Sequence, residues 1–176
     1  MKKLISGVAI AALFLSACNN KSATTSSAAD SAAIVSARNK TTAMNSDLAF
    51  IKHDVDGATK DYAPGFTELG NGADKPAKNL DSIKMGLKQF FAAFPDLKGE
   101  NLHAVAQGDS VIITGTYSGT FTGAFMKIKP TKKMFKAPDA DIYTFNKDGK
   151  ITSHSNIQSD ATYFYQLGIP MPPKKK

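Results

Sequence analysis

Four polar residues alternate near the end of the chain: His154, Asn156, Gln158 and Asp160. On an extended strand, residues two apart project from one face. These four therefore make a single polar row, and Ser153, Ser155, Ile157 and Ser159 make the opposite one. The chemistry such a row supports is proton transfer. A carboxylate can accept a proton as general base, and an imidazole can give or take one beside it. A carboxylate does this near neutral pH when burial lifts its pKa. On this reading Asp160 carries the proton and His154 assists. Asn156 and Gln158, with Asp141 and Tyr143 from an earlier strand, line the ligand site. Two orientations stay open. The polar row faces a cavity, or it is the wet face that antiparallel sheets usually have and the small row lines the cavity instead. A bulge near Asp160 would mix the two. Asp141 also has a plainer reading as an exposed acid at a strand end beside Asp139, and His53 and His103 read as surface residues.

Other chemistries are poorly supplied. The single cysteine excludes an internal disulfide and a cysteine-rich zinc site, and the three histidines lack metal-ligand spacing. Neither a metal nor a cofactor is expected. The formal charge is +7 over 176 residues, and it falls to 20 − 15 = +5 without Lys2 and Lys3. Three of those twenty cations are the terminal Lys174, Lys175 and Lys176, so the balance does not point to nucleic acid. Hydrophobic residues at 42% and charged residues at 21% describe one globular domain.

The elements that must position these residues are legible in outline. Ile34, Ala37, Thr41, Met44, Leu48, Ile51 and Val55 recur in steps of three and four, a stripe along a helix. A short helix over 58–63 stops before Pro64, and 66–69 reads as a short strand. Ile83, Leu87, Phe90, Phe91 and Phe94 share the face of a second long helix, capped by Asn79 or Asp81 and ended by Pro95. Strands follow over 101–107, 111–117, 133–146 and 150–158, with turns at Gly108-Asp109 and Lys147-Asp148-Gly149. A last helix over 161–167 stops at Gly168. Helices followed by an antiparallel meander predict an α+β fold, helices on one face of a curved sheet. A cavity is expected between the 83–94 helix and the strands around Tyr117, Tyr143 and Ile157, suited to a small, mostly apolar molecule. The long strands offer an outer face through which two copies would pair as a homodimer.

The N-terminus carries an address. Met1-Lys2-Lys3 precedes an apolar run from Leu4 to Ala17, too short to span a bilayer and built like a secretory signal. Leu15-Ser16-Ala17-Cys18 resembles the bacterial lipoprotein box. That resemblance implies cleavage before Cys18 and its acylation with palmitate-type chains, and hence a lipid-anchored protein of the bacterial cell envelope. Asn19, where some bacteria use Asp for inner-membrane retention, points to the outer membrane. Residues 1–17 are then the signal peptide and 18–33 the lipidated cysteine and linker. Eleven of the fifteen residues from Asn19 to Ala33 are Ser, Ala or Thr, which reads as flexible. The folded domain is 34–170, and 171–176 a basic tail. The lysines at 127, 129, 132, 133 and 136 read as a solvated edge that resists aggregation, or as a contact for anionic lipid.

Six short runs carry a second resemblance. They are Phe91-Ala92-Ala93-Phe94-Pro95-Asp96-Leu97, Ala106-Gln107-Gly108-Asp109-Ser110-Val111, Gly119-Thr120-Phe121-Thr122-Gly123, Pro130-Thr131-Lys132-Lys133, Asp141 to Phe145 followed by Asp148 to Ile151, and Gln166-Leu167-Gly168. In this order they resemble the SnoaL-like polyketide cyclases and ester cyclases. That implies the cone-shaped fold of nuclear transport factor 2 and an intramolecular aldol closure, in which a carboxylate takes a proton from an activated carbon and an acid protonates the new oxyanion. The chain departs from the pattern at Phe121 for a histidine, Lys132 for a glycine, and a missing tryptophan. The family's catalytic aspartate corresponds to Ser159, with Asp160 one residue later. Two functions follow: an ester-cyclase-like enzyme, or an anchored binding module that kept the pocket and lost the chemistry.

Overall fold

The computed structural model describes residues 20–72, 75–125 and 127–171. The expected signal segment, Cys18 and residues 172–176 of the basic tail lie outside them. The fold is α+β, as expected. Helix α1 (Asn20–Ile51) leads into the short α2 (Val55–Thr59) and strand β1 (Tyr62–Gly70). Helix α3 (Leu80–Ala93) follows, then β2 (Lys98–Gln107), β3 (Ser110–Thr120), β4 (Met134–Phe145), β5 (Ile151–Ile157) and α4 (Asp160–Leu167). The five strands form one sheet in the order β1-β5-β4-β3-β2, antiparallel except for the parallel β1–β5 pair.

Two expectations need correction at α1. The stretch read as a flexible linker is helical from Asn20 onward. Its alanines are the best helix formers, and once a helix is nucleated each further residue adds a hydrogen bond cheaply. At 32 residues α1 is about 48 Å long at 1.5 Å per residue. The apolar stripe is also not the buried face. Ile34 is 69% exposed and Leu48 38%, whereas Asn39, Ala43, Ser46 and Asp47 are buried. The helix turns polar groups inward because they find partners there: Ser46 finds one on α2, Asn39 at the β2–β3 turn and Asp47 on β3.

Pro64 sits inside β1 rather than before a strand. That is tolerated because β1 is an edge strand whose register shifts between Tyr62 and Thr67, with Gly65 at φ 79°. Asn79 caps α3 by accepting from the Ser82 amide, as expected. Ser159 caps α4 and the left-handed Gly168 ends it. Strand β5 covers β4 only as far as Ala140, so β4 continues unpaired on that side. Helix α4 closes the gap. The Gln166 side chain accepts from the Lys136 amide at 2.6 Å and donates to its carbonyl at 3.1 Å, completing the ladder that β5 leaves open.

Two buried clusters fill the interior. One joins Ala43, Phe66, Ile83, Val111, Ile113, Tyr143, Phe145 and Ile151. The other is aromatic, with Phe91, Phe94, Tyr117, Phe121 and Phe135 at its centre and Phe50, Phe90, Phe125 and Tyr163 against it. These rings occupy much of the space expected as a cavity: Phe94 packs 5.3 Å from Phe121 and 5.4 Å from Phe135, and Tyr163 lies 4.7 Å from Phe135. Phe121, the departure at the family's histidine, is 1% exposed and structural. Among the described residues no helix is long and apolar enough to cross a membrane.

Candidate proton-transfer site

Register decides which row of β5 turns inward. His154 pairs with Tyr143 and Asn156 with Asp141 across the β4–β5 ladder, and directly opposed residues share a face. Tyr143 is buried in the core, so His154 and Asn156 face the helices, and Ser153, Ser155 and Ile157 face out. Asp141 stands in the body of β4 opposite Ile113, with a side chain only 13% exposed. It is not the exposed strand-end acid of the plainer reading.

Around His154 the polar groups join in a row. Nδ1 lies 2.9 Å from Glu68 Oε2 on β1, and Nε2 lies 3.0 Å from Asp141 Oδ1. The other Asp141 oxygen, Oδ2, accepts from the Tyr117 hydroxyl at 2.9 Å. That hydroxyl also lies 2.9 and 3.0 Å from the two oxygens of Asp47 on α1. The run Glu68–His154–Asp141–Tyr117–Asp47 therefore crosses the interior from β1 to α1. Asn156 Nδ2 donates to Asp139 Oδ2 at 3.4 Å, placing Asp139 beside the same group. The Tyr143 ring lies 4.8 Å from the imidazole.

The electrostatics follow from burial and from these partners. Burial opposes a charge on His154. The hydrogen bonds to Asp141 and Glu68, with the charges of both, outweigh it and push the imidazole up to about 10. It is an imidazolium at neutral pH and donates from both nitrogens. Burial, then the charge of Asp141, pushes Asp47 up to about 7 against the lowering pull of the Tyr117 hydroxyl and His154. The same two causes push Asp139 up to about 6. Burial and the flanking carboxylates hold the Tyr117 phenol well above the usual tyrosine range.

Asp160 is not part of this group. Strand β5 ends at Ile157, so the two-residue alternation stops short of it. Asp160 opens α4, and its carboxylate accepts from Asn71 Nδ2 at 2.7 Å. Gln158, also past the strand, lines an open cleft of about 510 Å³ with Gly115, Ala137, Pro138, Asp139, Ile157, Ser159 and Thr162. Asp139 borders this cleft, and its carboxylate accepts from Asn156 beside the interior group. A second open cleft of about 320 Å³ lies between α1 and β2, with His103 on its wall. Among the described residues no group of three or more His, Cys, Asp or Glu side chains is arranged to hold a metal ion.

Sequence reasoning reached His154, Asp141, Tyr143 and Asn156 but missed Glu68 and Asp47 and gave Asp139 no role. The signal for Asp139 was present, since Asp139 and Asp141 are two apart on one strand and share a face. Asp47 was discoverable too: Ala43 and Phe50, four residues before and three after, flank it on the same side of the helix.

A family model for SnoaL-like polyketide cyclases matches residues 42–167. No curated protein matches the chain. Among solved structures, AclR of Streptomyces galilaeus, a proposed hydroxylase, is 26% identical with a TM-score of 0.65, over 79% of this chain and 87% of that one. IdmH of Streptomyces antibioticus, a proposed polyketide cyclase, is also 26% identical, with a TM-score of 0.59 over 74% of this chain and 99% of its own. A proposed polyketide cyclase of Xanthomonas campestris shares the fold at 15% identity and a TM-score of 0.68, covering 76% of this chain and 98% of that one.

Proposed function

Since the chain belongs to the SnoaL-like polyketide cyclase family, we propose that it transfers protons on a small, mostly apolar, carbonyl-bearing molecule. The observation that carries this reading is the run Glu68–His154–Asp141–Tyr117–Asp47 with Asp139 two residues from Asp141 on β4 and bordering the cleft. Asp139 takes a proton from the carbon beside the carbonyl, and the electron pair moves onto the carbonyl oxygen. A base that titrates near 6 is ionised at neutral pH yet basic enough to be useful. Gln158, on the wall of the same cleft, donates a hydrogen bond to that oxygen. The role first given to Asp160 passes to Asp139 because Asp139 borders both cleft and network. His154 acts through Asp141: its positive charge lets three carboxylates stand close together.

The test uses a β-keto ester, ethyl acetoacetate, in D2O. The wild-type protein should speed exchange of the α-protons, and Asp139→Asn should lose about 10²–10⁴ of that acceleration. Wild-type protein that leaves the buffer rate unchanged would overturn the enzymatic reading. The departures from the family pattern, Phe121 for a histidine and Ser159 for the catalytic aspartate, favour a second reading, a binding module without chemistry at the open cleft. That reading expects the ester to bind, seen as saturable shifts at cleft residues, with no exchange.

The proposed location is the bacterial cell envelope, with Cys18 acylated in the outer membrane and α1 as the rod between anchor and domain. Mass spectrometry of Cys18→Ser should show an unprocessed chain without acyl mass. Release of mature wild-type protein without detergent would count against the anchor. The proposed homodimer pairs through the outer face of the sheet, where Val105 and Ile112 are exposed.

A further inference from the structure

One phenol proton cannot serve two carboxylates. The Tyr117 oxygen lies within 3.0 Å of both Asp47 oxygens and 2.9 Å from Asp141 Oδ2. A phenol has one hydrogen to donate and lone pairs to accept with. If its hydrogen goes to Asp141, Asp47 faces the phenol oxygen lone pair to lone pair unless Asp47 carries a proton itself. If the hydrogen goes to Asp47, the same holds for Asp141. Asp47 is 2% exposed, so water does not relieve the conflict. His154 already donates Nε2–H to the other oxygen of Asp141 and stabilises Asp141 as the ionised partner. Asp47 has no cation beside it among its bonded partners.

We propose that Asp47 and Asp141 share one proton through the Tyr117 hydroxyl, and that the carboxylate holding it sets the base strength of Asp139 at the cleft. This rests on the proton-transfer reading above and extends it to residues that touch no substrate. In the resting arrangement Asp47 is the acid. Its O–H donates to Tyr117, and Tyr117 donates to Asp141. In the shifted arrangement the Asp47 O–H bond breaks and its proton passes to the Tyr117 oxygen. The original phenol proton passes to Asp141 Oδ2. Net charge is unchanged and no other reactant is needed. Asp139 and Asp141 are two residues apart on one strand face, about 7 Å. An ionised Asp141 repels charge on Asp139 and makes it the stronger base; a neutral Asp141 makes it weaker. Asp47 and Tyr117 are therefore positioning residues for the base.

Every element around Asp47 contributes to this balance: Tyr117 from β3, Asp139 and Asp141 from β4, His154 from β5, and Glu68 and Tyr62 from β1. Burial pushing Asp47 up to about 7 agrees with the resting arrangement.

The experiment is a pH titration of the full chain with 13C-labelled aspartate carboxyls, read by NMR on wild type, Asp47→Asn and Tyr117→Phe. The Asp47 signal should titrate at least two pH units above an ordinary aspartate. The Asp139 curve should carry a second step at the Asp47 midpoint. Asp47→Asn, which mimics the neutral acid, should remove that step, and Tyr117→Phe should uncouple the two curves. An Asp47 signal in the ordinary carboxylate range overturns the proposal, as does an Asp139 curve that keeps its second step in Asp47→Asn. Should either variant not fold, the wild-type curves decide by the presence or absence of the shared step. No substrate is involved, so β-keto ester exchange can fail while the shared proton stands, and the reverse.

Discussion

The interior has two halves that obey different rules. Around Phe94, Phe121 and Phe135 the groups are interchangeable in kind: rings stack or tilt against rings, and burial of apolar area supplies the stability. Around His154 every contact has a direction and a proton count. Glu68, His154, Asp141, Tyr117 and Asp47 come from five different elements, and each needs its neighbours to be tolerated inside. The aromatic half tolerates a shift in packing. The polar half fails if one strand slips by a single residue, because His154 would then face solvent. The difference separates the half built for stability from the half on which the proposed proton transfer rests, since buried groups with raised or mutually dependent pKa values are costly to keep.

Truncation on each side sharpens the contrast. Phe121→Ala should cost about 3–5 kcal/mol through a cavity among the rings, read as a lower urea midpoint that does not depend on pH. His154→Ala should cost a similar 3–5 kcal/mol at pH 6, because it leaves Glu68 and Asp141 buried without their cation. That cost should shrink on the alkaline side, and equal losses at pH 6 and pH 10 would break the comparison.

A smaller effect is the pH dependence of the wild-type protein. His154 titrates higher in the fold, near 10, than its ordinary 6.5. Its stabilising share is complete below about 6.5 and is lost as pH rises through 10. Asp47 and Asp139 are also raised, to about 7 and about 6 from 3.8. Their share is present below 3.8 and is lost as pH rises through those values. All three slopes have one sign, so the urea midpoint should fall from pH 5 to pH 7 and again to pH 10. His154→Gln should flatten the second fall and leave the first. A midpoint that rises between pH 7 and pH 10 would refute the assignment.

The smallest effects lie at α4. Ser159→Ala should cost about 1 kcal/mol by removing the cap on Thr162. Asp160→Asn should stay within about 0.5 kcal/mol and leave β-keto ester exchange unchanged. A hundredfold loss of exchange in Asp160→Asn would return the catalytic role to that residue.

The order of the strands, the cap at Asn79, the stop at Gly168 and the helix-then-meander class all follow from local rules. Each depends on a few neighbouring residues: a side-chain oxygen reaching an amide two or three positions on, or a backbone turn only glycine takes easily. The α1 face was misjudged because the pattern rule weighs apolarity alone. Asn39, Ser46 and Asp47 go inside only since other parts of the chain bring them partners: Asn39 donates to the Gly108 carbonyl in the β2–β3 turn, Ser46 to that of Ala58 on α2, and Asp47 accepts from Tyr117 on β3. Asp160 does not extend the inward row because two-residue alternation holds only while the strand lasts, and β5 ends three residues earlier. Sequence by itself thus determined the order of most helices and strands and which family they compose, though not that α1 begins at Asn20 or that β1 begins at Tyr62. Tertiary structure decided which row of β5 faces in and which acids meet, because register and the facing of a polar side chain depend on partners distant in the chain.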